Sequence, residues 1–251
     1  MSAAPPRHAR VHALIPAAGH GVRFGGATRK QYAPLLGKPV LAHSIDALLA
    51  HPAVRAVTVA VAADDGLFGE LIQPRYPLVD AVQGGAFRAQ TVLNGLLHIR
   101  HHDQNCDWVL VHDAARPCLD QQSLDRLMQQ GLHTGDGGLL AMPISDTLKR
   151  ADDTRVEHTL DRTGLWAAQT PQLFPLQALL DSLQSAVQVG SGAGAMPTDE
   201  AAAMERAGFH PLLVRGSASN IKITVPEDLL LAECILRAAR PDLADDHSSA
   251  C

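Results

Sequence analysis

Aromatic residues make up only 4% of this 251-residue chain, so its interior must be built from Ala, Val, Leu and Ile. Cysteine is equally sparse: Cys106, Cys118, Cys234 and Cys251 form no Cys-x-x-Cys pair and no repeating frame. Such spacing predicts reduced thiols and a cytoplasmic location. A basic surplus is absent, 21 Lys and Arg standing against 26 Asp and Glu for a net charge of −5. That balance excludes a general nucleic-acid binder, and any anionic substrate must meet cations concentrated locally. Long apolar runs are missing too. The two uncharged stretches, 163–180 and 182–198, carry Gln, Pro, Ser or Gly throughout, so neither is expected to enter a membrane. The apolar segment near the N-terminus breaks at Pro16, too early for a secretory signal core. What remains, 46% hydrophobic and 19% charged residues, is an ordinary globular composition that needs no disulfide or metal staple.

Residues 1–10 are Pro/Ala-rich and read as a disordered extension, 241–251 as a frayed tail, and 11–240 as a single domain. Within it, short apolar runs alternate with helical periodicity, which predicts α/β architecture on a mostly parallel, doubly wound sheet of the nucleotide-binding, Rossmann-like kind. Strands are expected at Val11–Ile15, Ala56–Ala62, Leu78–Val82, Trp108–His112, Gly138–Ile144, Pro211–Arg215 and Ile221–Thr224. Helices are expected after Pro39, over Arg88–His101, around Leu124–Met128, near Leu176–Val187, over Thr198–Ala207, and from Pro226. Residues 145–170 break this rhythm. They are polar, alternate like a hairpin around Asp152-Asp153, and read as an inserted β-hairpin arm, a feature that usually serves a partner or substrate.

The most informative segment follows the first strand: Pro16-Ala17-Ala18-Gly19-His20-Gly21-Val22-Arg23-Phe24, then Arg29-Lys30-Gln31-Tyr32. Gly19 and Gly21 lack a Cβ and allow consecutive backbone N–H groups to converge on a phosphate, with Arg23 and Lys30 adding charge from the same loop. A dinucleotide fingerprint is excluded, because Phe24 stands where a third small residue is needed and no helix starts at once. A P-loop is excluded because Gly37-Lys38 runs into Pro39. A flexible surface loop with solvated cations remains the plain alternative, although the carboxyl end of a first strand is where open α/β sheets bind ligands.

Further blocks recur in order: Gly84-Gly85-x-x-Arg88, His112-Asp113-Ala114-Ala115-Arg116-Pro117, Asp146-Thr147-x-Lys149-Arg150, Asp161-Arg162-x-Gly164-Leu165-Trp166, Thr170-Pro171-Gln172, Thr198-Asp199-Glu200 and Asn220-Ile221-Lys222-Ile223-Thr224. With the glycine loop, this ordered set resembles the bacterial 2-C-methyl-D-erythritol 4-phosphate cytidylyltransferases over about residues 11–237. The resemblance implies that CTP and a polyol phosphate are the substrates. It implies cytosine recognition by Ala17, Ala18 and the Gly85 region, with Arg88 and Thr91 nearby, and a Mg²⁺–phosphate cluster beside Asp113 and Arg116. It also implies a homodimer in which Thr147, Lys149 and Arg162 of the arm hold the sugar phosphate of a neighbouring subunit, with Thr198 and Lys222 on the same phosphate. One departure stands out: Ala86 follows the glycine pair where many members carry an acidic residue.

Each residue also has a plainer reading. Asp113 can cap the following turn and pair with Arg116; the Gly84-Gly85 pair can be a simple turn; the arm's polar groups can be solvated. Lys222, between two isoleucines, must either face water or meet an anion. The cluster His98, His101, His102 and Asp103 sits at a helix C-terminus, where solvated, dipole-compatible histidines are common and a metal site less so.

No Ser/His/Asp set or reactive Cys motif is present, and none is required for cytidylyl transfer. A phosphate monoester has a second pKa of about 6 and is already a nucleophilic dianion at neutral pH. The catalytic assignment is therefore to charge and alignment: Arg23 and Lys30 on the triphosphate, Arg162 and Lys222 on the incoming phosphate, with Mg²⁺. Two competing readings are a cytidylyltransferase for another polyol phosphate such as ribitol 5-phosphate, and a non-catalytic nucleotide-binding module on the same fold.

Overall fold

Strand β1 (Val11–Pro16) is buried on both faces, as a central parallel strand covered by two helical layers must be. A computed structural model describes residues 9–19, 24, 29–190 and 196–239. All but two residues of the expected N-terminal extension, and the whole expected tail, lie outside them. After β1 a short hairpin, β2 (Pro34–Leu35) and β3 (Lys38–Pro39), leads into helix α1 (Val40–Leu49). Then follow β4 (Val54–Val61), β5 (Asp80–Gln83), α2 (Arg88–His102), β6 (Trp108–Val111), α3 (Gln121–Gly131) and β7 (Gly138–Pro143). The hairpin β8 (Leu148–Asp152) and β9 (Arg155–Leu160) precedes β10 (Trp166–Pro175), α4 (Leu176–Gly190), α5 (Glu200–Arg206), β11 (Leu212–Arg215) and α6 (Asp228–Ala239).

Seven strands form one sheet in the order β11-β7-β10-β6-β1-β4-β5. Every neighbouring pair is parallel except those of β10, which runs antiparallel to both β6 and β7. The alternation along β1 sorts the core into two layers. Ala13 and Ile15 pack with Leu41 and Ile45 of α1 and Leu124 and Leu127 of α3, whereas Leu14 faces Val92 and Leu96 of α2 and Leu179 of α4. Gly95 is what lets α2 lie close to the sheet, because a Cβ there would stand 2.4 Å from Leu14 Cδ1. A third cluster at the carboxyl edge joins Phe24, Val40, Ala115 and Ile223 to Ala232 and Leu236 of α6.

The doubly wound α/β reading is thus correct, with four corrections. Residues 166–175, half assigned to the arm, form a central sheet strand. Pro171 disguises it, and is accommodated where the register shifts between Ala168 and Gln172. The arm proper is the hairpin of β8 and β9, turning at Asp153, whose φ of 52° an Asp tolerates. Residues 221–224 form no strand: Ile223 N donates to Ala115 O at 2.8 Å, and Lys30 Nζ donates to Ile223 O at 3.0 Å. Strand β5 starts at Asp80, Leu78 being 91% exposed in the preceding turn. Helix α5 starts at Glu200 and not at Thr198, and is capped by Asp199, whose carboxylate accepts from Ala202 N at 2.9 Å.

Candidate active site

A cavity of about 700 Å³ opens at the carboxyl ends of β1, β4, β5 and β6. One wall is main chain from the first turn, Ala17, Ala18 and Gly19, and the facing wall is Gly84, Gly85 and Ala86. The two walls touch: a Cβ on Gly84 would fall 2.6 Å from Ala18 Cβ, so only glycine permits this approach. Thr91 is buried beneath, its hydroxyl accepting from Gly85 N at 3.1 Å and set 3.1 Å from Phe87 O. Its polar capacity goes into shaping the glycine turn. Gln31, 2% exposed, donates to Ala17 O at 2.7 Å and holds the first turn from below. Arg29 and Tyr32 both bind the Asp65 carboxylate, at 3.0 and 2.8 Å, which fixes the segment carrying Lys30.

At the inner end of this cavity lies a chain of charge. Glu200, fully buried, takes both forks of the Arg88 guanidinium (Nη1–Oε1 2.5 Å, Nη2–Oε2 3.0 Å). The same Nη2 reaches Asp113 Oδ1 at 3.2 Å. Asp113 Oδ2 meets Lys222 Nζ at 2.7 Å and lies 3.6 Å from Arg116 Nε. Burial alone would raise the Asp113 pKa, but Arg88, Lys222 and Arg116 override it and hold the carboxyl well below the usual carboxylate range. Glu200 has one cation for partner, and there burial prevails, so its pKa is raised. A second, polar cavity of about 210 Å³ shares Arg88, Asp113 and Lys222 with the first and adds Arg116, Gln172 and Thr198.

Asp113 is held by its main chain as well. Its N–H donates to Thr170 Oγ1 at 3.0 Å, and Thr170 Oγ1 lies 3.0 Å from His112 Nδ1. His112 Nε2 lies 3.0 Å from Arg116 O. A carbonyl only accepts, so Nε2 carries the proton and Nδ1 accepts from the threonine. Burial pushes His112 down to about 4. An imidazole depressed on folding contributes stability above its unfolded pKa and loses it as pH falls toward the folded one. Stability is therefore expected to drop by roughly 3 kcal/mol between pH 7 and pH 4 from this residue alone. Urea unfolding midpoints should show this slope for the wild type and a much flatter one for His112→Asn. Equal slopes would remove the assignment.

Comparison with known proteins agrees with this geometry. The family model described as 2-C-methyl-D-erythritol 4-phosphate cytidylyltransferase (IspD) matches residues 11–238. The chain belongs to this family. Curated cytidylyltransferases of that name from Tolumonas auensis and Shewanella amazonensis are 47% and 49% identical, covering 90% of this chain in each case and 96% and 93% of theirs. A crystal structure of 4-diphosphocytidyl-2C-methyl-D-erythritol synthase superposes with a TM-score of 0.78 at 39% identity, covering 90% of this chain and 98% of the other. The Francisella tularensis cytidylyltransferase gives 0.77 at 32%, covering 90% and 99%.

Of the residues singled out in the sequence, Ala17, Ala18, Gly19, Lys30, Gly85, Arg88, Thr91, Asp113 and Lys222 line the large cavity, and Arg116 and Thr198 the small one. Gly21 and Arg23 lie outside the described residues. Thr147, Lys149 and Arg162 are exposed on the arm and line neither cavity: Lys149 Nζ donates to Thr159 Oγ1 at 2.7 Å, and Arg162 donates to Ser145 O. Two backbone amides at the start of α5 are already used, Ala201 N by Gln172 Oε1 at 2.9 Å and Ala202 N by Asp199. Sequence reasoning overlooked Gln31, Asp65, His112, Thr170 and Gln172 as supports of the site. For all but Asp65, which lies in no motif, the available signal was a polar residue expected at a buried position inside a motif.

Proposed function

We propose that the chain transfers the cytidylyl group of CTP to the phosphate of 2-C-methyl-D-erythritol 4-phosphate, giving 4-diphosphocytidyl-2-C-methyl-D-erythritol and pyrophosphate, a step of the non-mevalonate isoprenoid pathway. The observation that carries this reading is the cationic wall shared by two cavities, Arg88 and Lys222 on either side of Asp113. The large cavity suits a nucleotide, its base against the backbone of Ala17, Ala18 and Gly85. The small polar one suits the acceptor. An acceptor phosphate oxygen forms a bond to the α-phosphorus as the α–β phosphoanhydride bond breaks, and pyrophosphate carries the electron pair away. Lys222 aims the acceptor oxygen, while Lys30 and Arg23 meet the negative charge growing on the triphosphate. No proton needs to be removed, because the acceptor phosphate arrives as a dianion.

Among the described residues, no three His, Cys, Asp or Glu side chains are grouped to hold a metal. Asp113 faces both cavities already surrounded by cations, so it would suit a Mg²⁺ brought in with the substrate better than one caged by protein. Such an ion supplies charge neutralisation when bound. Loss of turnover in a chelator and its return with Mg²⁺ tests this.

The arm's Thr147, Lys149 and Arg162 fit the acceptor phosphate only if they enter a second copy, which supports a homodimer with composite sites. Exposed Val156, Leu165 and Trp166 on and beside the arm supply apolar surface for it. A monomer by sedimentation equilibrium would exclude that. A cytoplasmic location fits the buried free thiols of Cys106 and Cys118, and no described helix is long and apolar enough to cross a membrane; cell fractionation decides it.

The test of function is a pyrophosphate-release screen crossing four nucleoside triphosphates with several polyol phosphates. The highest kcat/KM is expected for CTP with 2-C-methyl-D-erythritol 4-phosphate. Preference for ribitol 5-phosphate, or CTP binding with no release, would overturn the reading.

A further inference from the structure

Glu200 adjoins Arg88 of the cationic wall and has no role among the groups assigned above. It does not cap its helix, since Asp199 does, and its oxygens receive neither Ala201 N nor Ala202 N. It is 1% exposed, and a carboxylate is not left in such a place without a partner. That partner is Arg88, whose guanidinium it engages with both oxygens.

We propose that Glu200 is a positioning residue for the transfer reaction: by holding the Arg88 fork, it keeps the Asp113 carboxylate shared, one oxygen to Arg88 and the other to Lys222. The proposal rests on the transfer reading given above. Its geometry is that of the contacts the fork makes. A guanidinium presents its N–H groups in a rigid planar fork that matches a carboxylate face to face. With that fork turned to Glu200, the guanidinium meets Asp113 through Nη2 alone, which reaches Oδ1 at 3.2 Å. Oδ2 then stays open to Lys222 Nζ at 2.7 Å, the shorter contact of the two. Without the Glu200 charge, the fork is free to swing onto Asp113 and take both oxygens. Lys222, whose side chain is 40% exposed, then loses its anchor and turns toward solvent.

Glu200 is itself fixed from two sides. Gln172 of β10 binds Asp199 Oδ2 at 2.9 Å through its amide nitrogen and Ala201 N through its oxygen. The start of α5 is thereby pinned to the central sheet, and Arg88 at the start of α2 is drawn to it. Two helix starts on the same face of the sheet are joined by one buried ion pair, directly behind the acceptor cavity.

The experiment compares wild type, Glu200→Gln, Glu200→Asp, Arg88→Met and the double variant Arg88→Met/Glu200→Gln by thermal unfolding, steady-state kinetics and crystallography. Glu200→Gln is expected to lower kcat at least tenfold, and roughly a hundredfold if Lys222 is displaced by about 1 Å. KM for CTP should stay within about threefold of wild type, because Ala17, Ala18 and Gly85 do not touch Glu200. Glu200→Asp should recover part of kcat. In the Arg88→Met background, where Glu200 has no fork to hold, adding Glu200→Gln should change kcat little; this double variant also removes a buried charge together with its partner, should the single one not fold. A folded Glu200→Gln with wild-type kcat, or an equal loss in both backgrounds, would overturn the proposal. An inactive wild type would instead refute the transfer reading. The crystal structure of Glu200→Gln still decides on Glu200 in that case: Lys222 leaving Asp113 supports the role, and an unchanged pair overturns it.

Discussion

Lys30→Ala is expected to cut pyrophosphate release from CTP at least a hundredfold in a protein that still folds. Lys30 lies in the short turn between the glycine loop and β2, held there by Arg29 and Tyr32 on Asp65, and it lines the large cavity. On the proposed reading its ammonium is a compact charge beside the triphosphate, where negative charge would accumulate as the leaving group departs. Removing a donor aimed at such charge costs roughly 3–4 kcal/mol of barrier, and a hundredfold corresponds to about 2.7 kcal/mol. The same Nζ donates to Ile223 O at 3.0 Å, so the substitution also loosens residues 221–224. That hydrogen bond accounts for about 1–2 kcal/mol of stability, measurable by urea unfolding and too little to unfold the chain. Near-normal release by folded Lys30→Ala would sink the assignment.

The largest effect on stability is expected for Asp113→Ala, at about 3 kcal/mol. Three cations converge on this carboxylate, and removing one member of a buried ionic cluster leaves the others uncompensated. The three do not suffer equally. Arg88 retains Glu200, and Lys222 is exposed enough to reach water, but the Arg116 side chain is only 11% exposed and keeps just Asn220 O, at 2.6 Å. Most of the loss therefore comes from Arg116, and the double variant Asp113→Ala/Arg116→Met should restore part of it. Because the Asp113 carboxyl is held so far below the usual range, its contribution persists at every pH above about 4 and fades only in stronger acid. A shift below about 0.5 kcal/mol in chemical unfolding at pH 7 would show that solvent screens the cluster.

The parallel half of the sheet was legible because its strands are continuous apolar runs, as in Val54–Val61, and its helices keep a regular apolar stripe, as at Val92, Leu93 and Leu96. Strand β10 was not, because Gln169, Thr170, Pro171 and Gln172 carry no apolar pattern at all. Their side chains are spent on Asn220, Asp113 and Asp199 instead of on the hydrophobic layers. Residues 221–224 show the opposite error: an alternating Ile-Lys-Ile pattern is satisfied here by the 113–116 loop and Lys30, with no neighbouring strand. The first turn and the Gly84-Gly85 turn could be placed because glycine marks a backbone requirement that one sequence displays. Which carboxylate holds which cation could not, since Glu200, Asp113 and Arg88 lie 112 and 25 positions apart and their meeting depends on the order of strands in the sheet.

Strand β10 runs without interruption from Trp166, at the root of the hairpin, to Pro175 at α4. Midway along it, Thr170 supports the Asp113 amide, and two residues later Gln172 grips the start of α5. The protruding hairpin and the reaction chamber are therefore mechanically in series. A tug on the hairpin passes along the chain to Thr170 and Gln172, and through their side chains to Asp113 and to the start of α5.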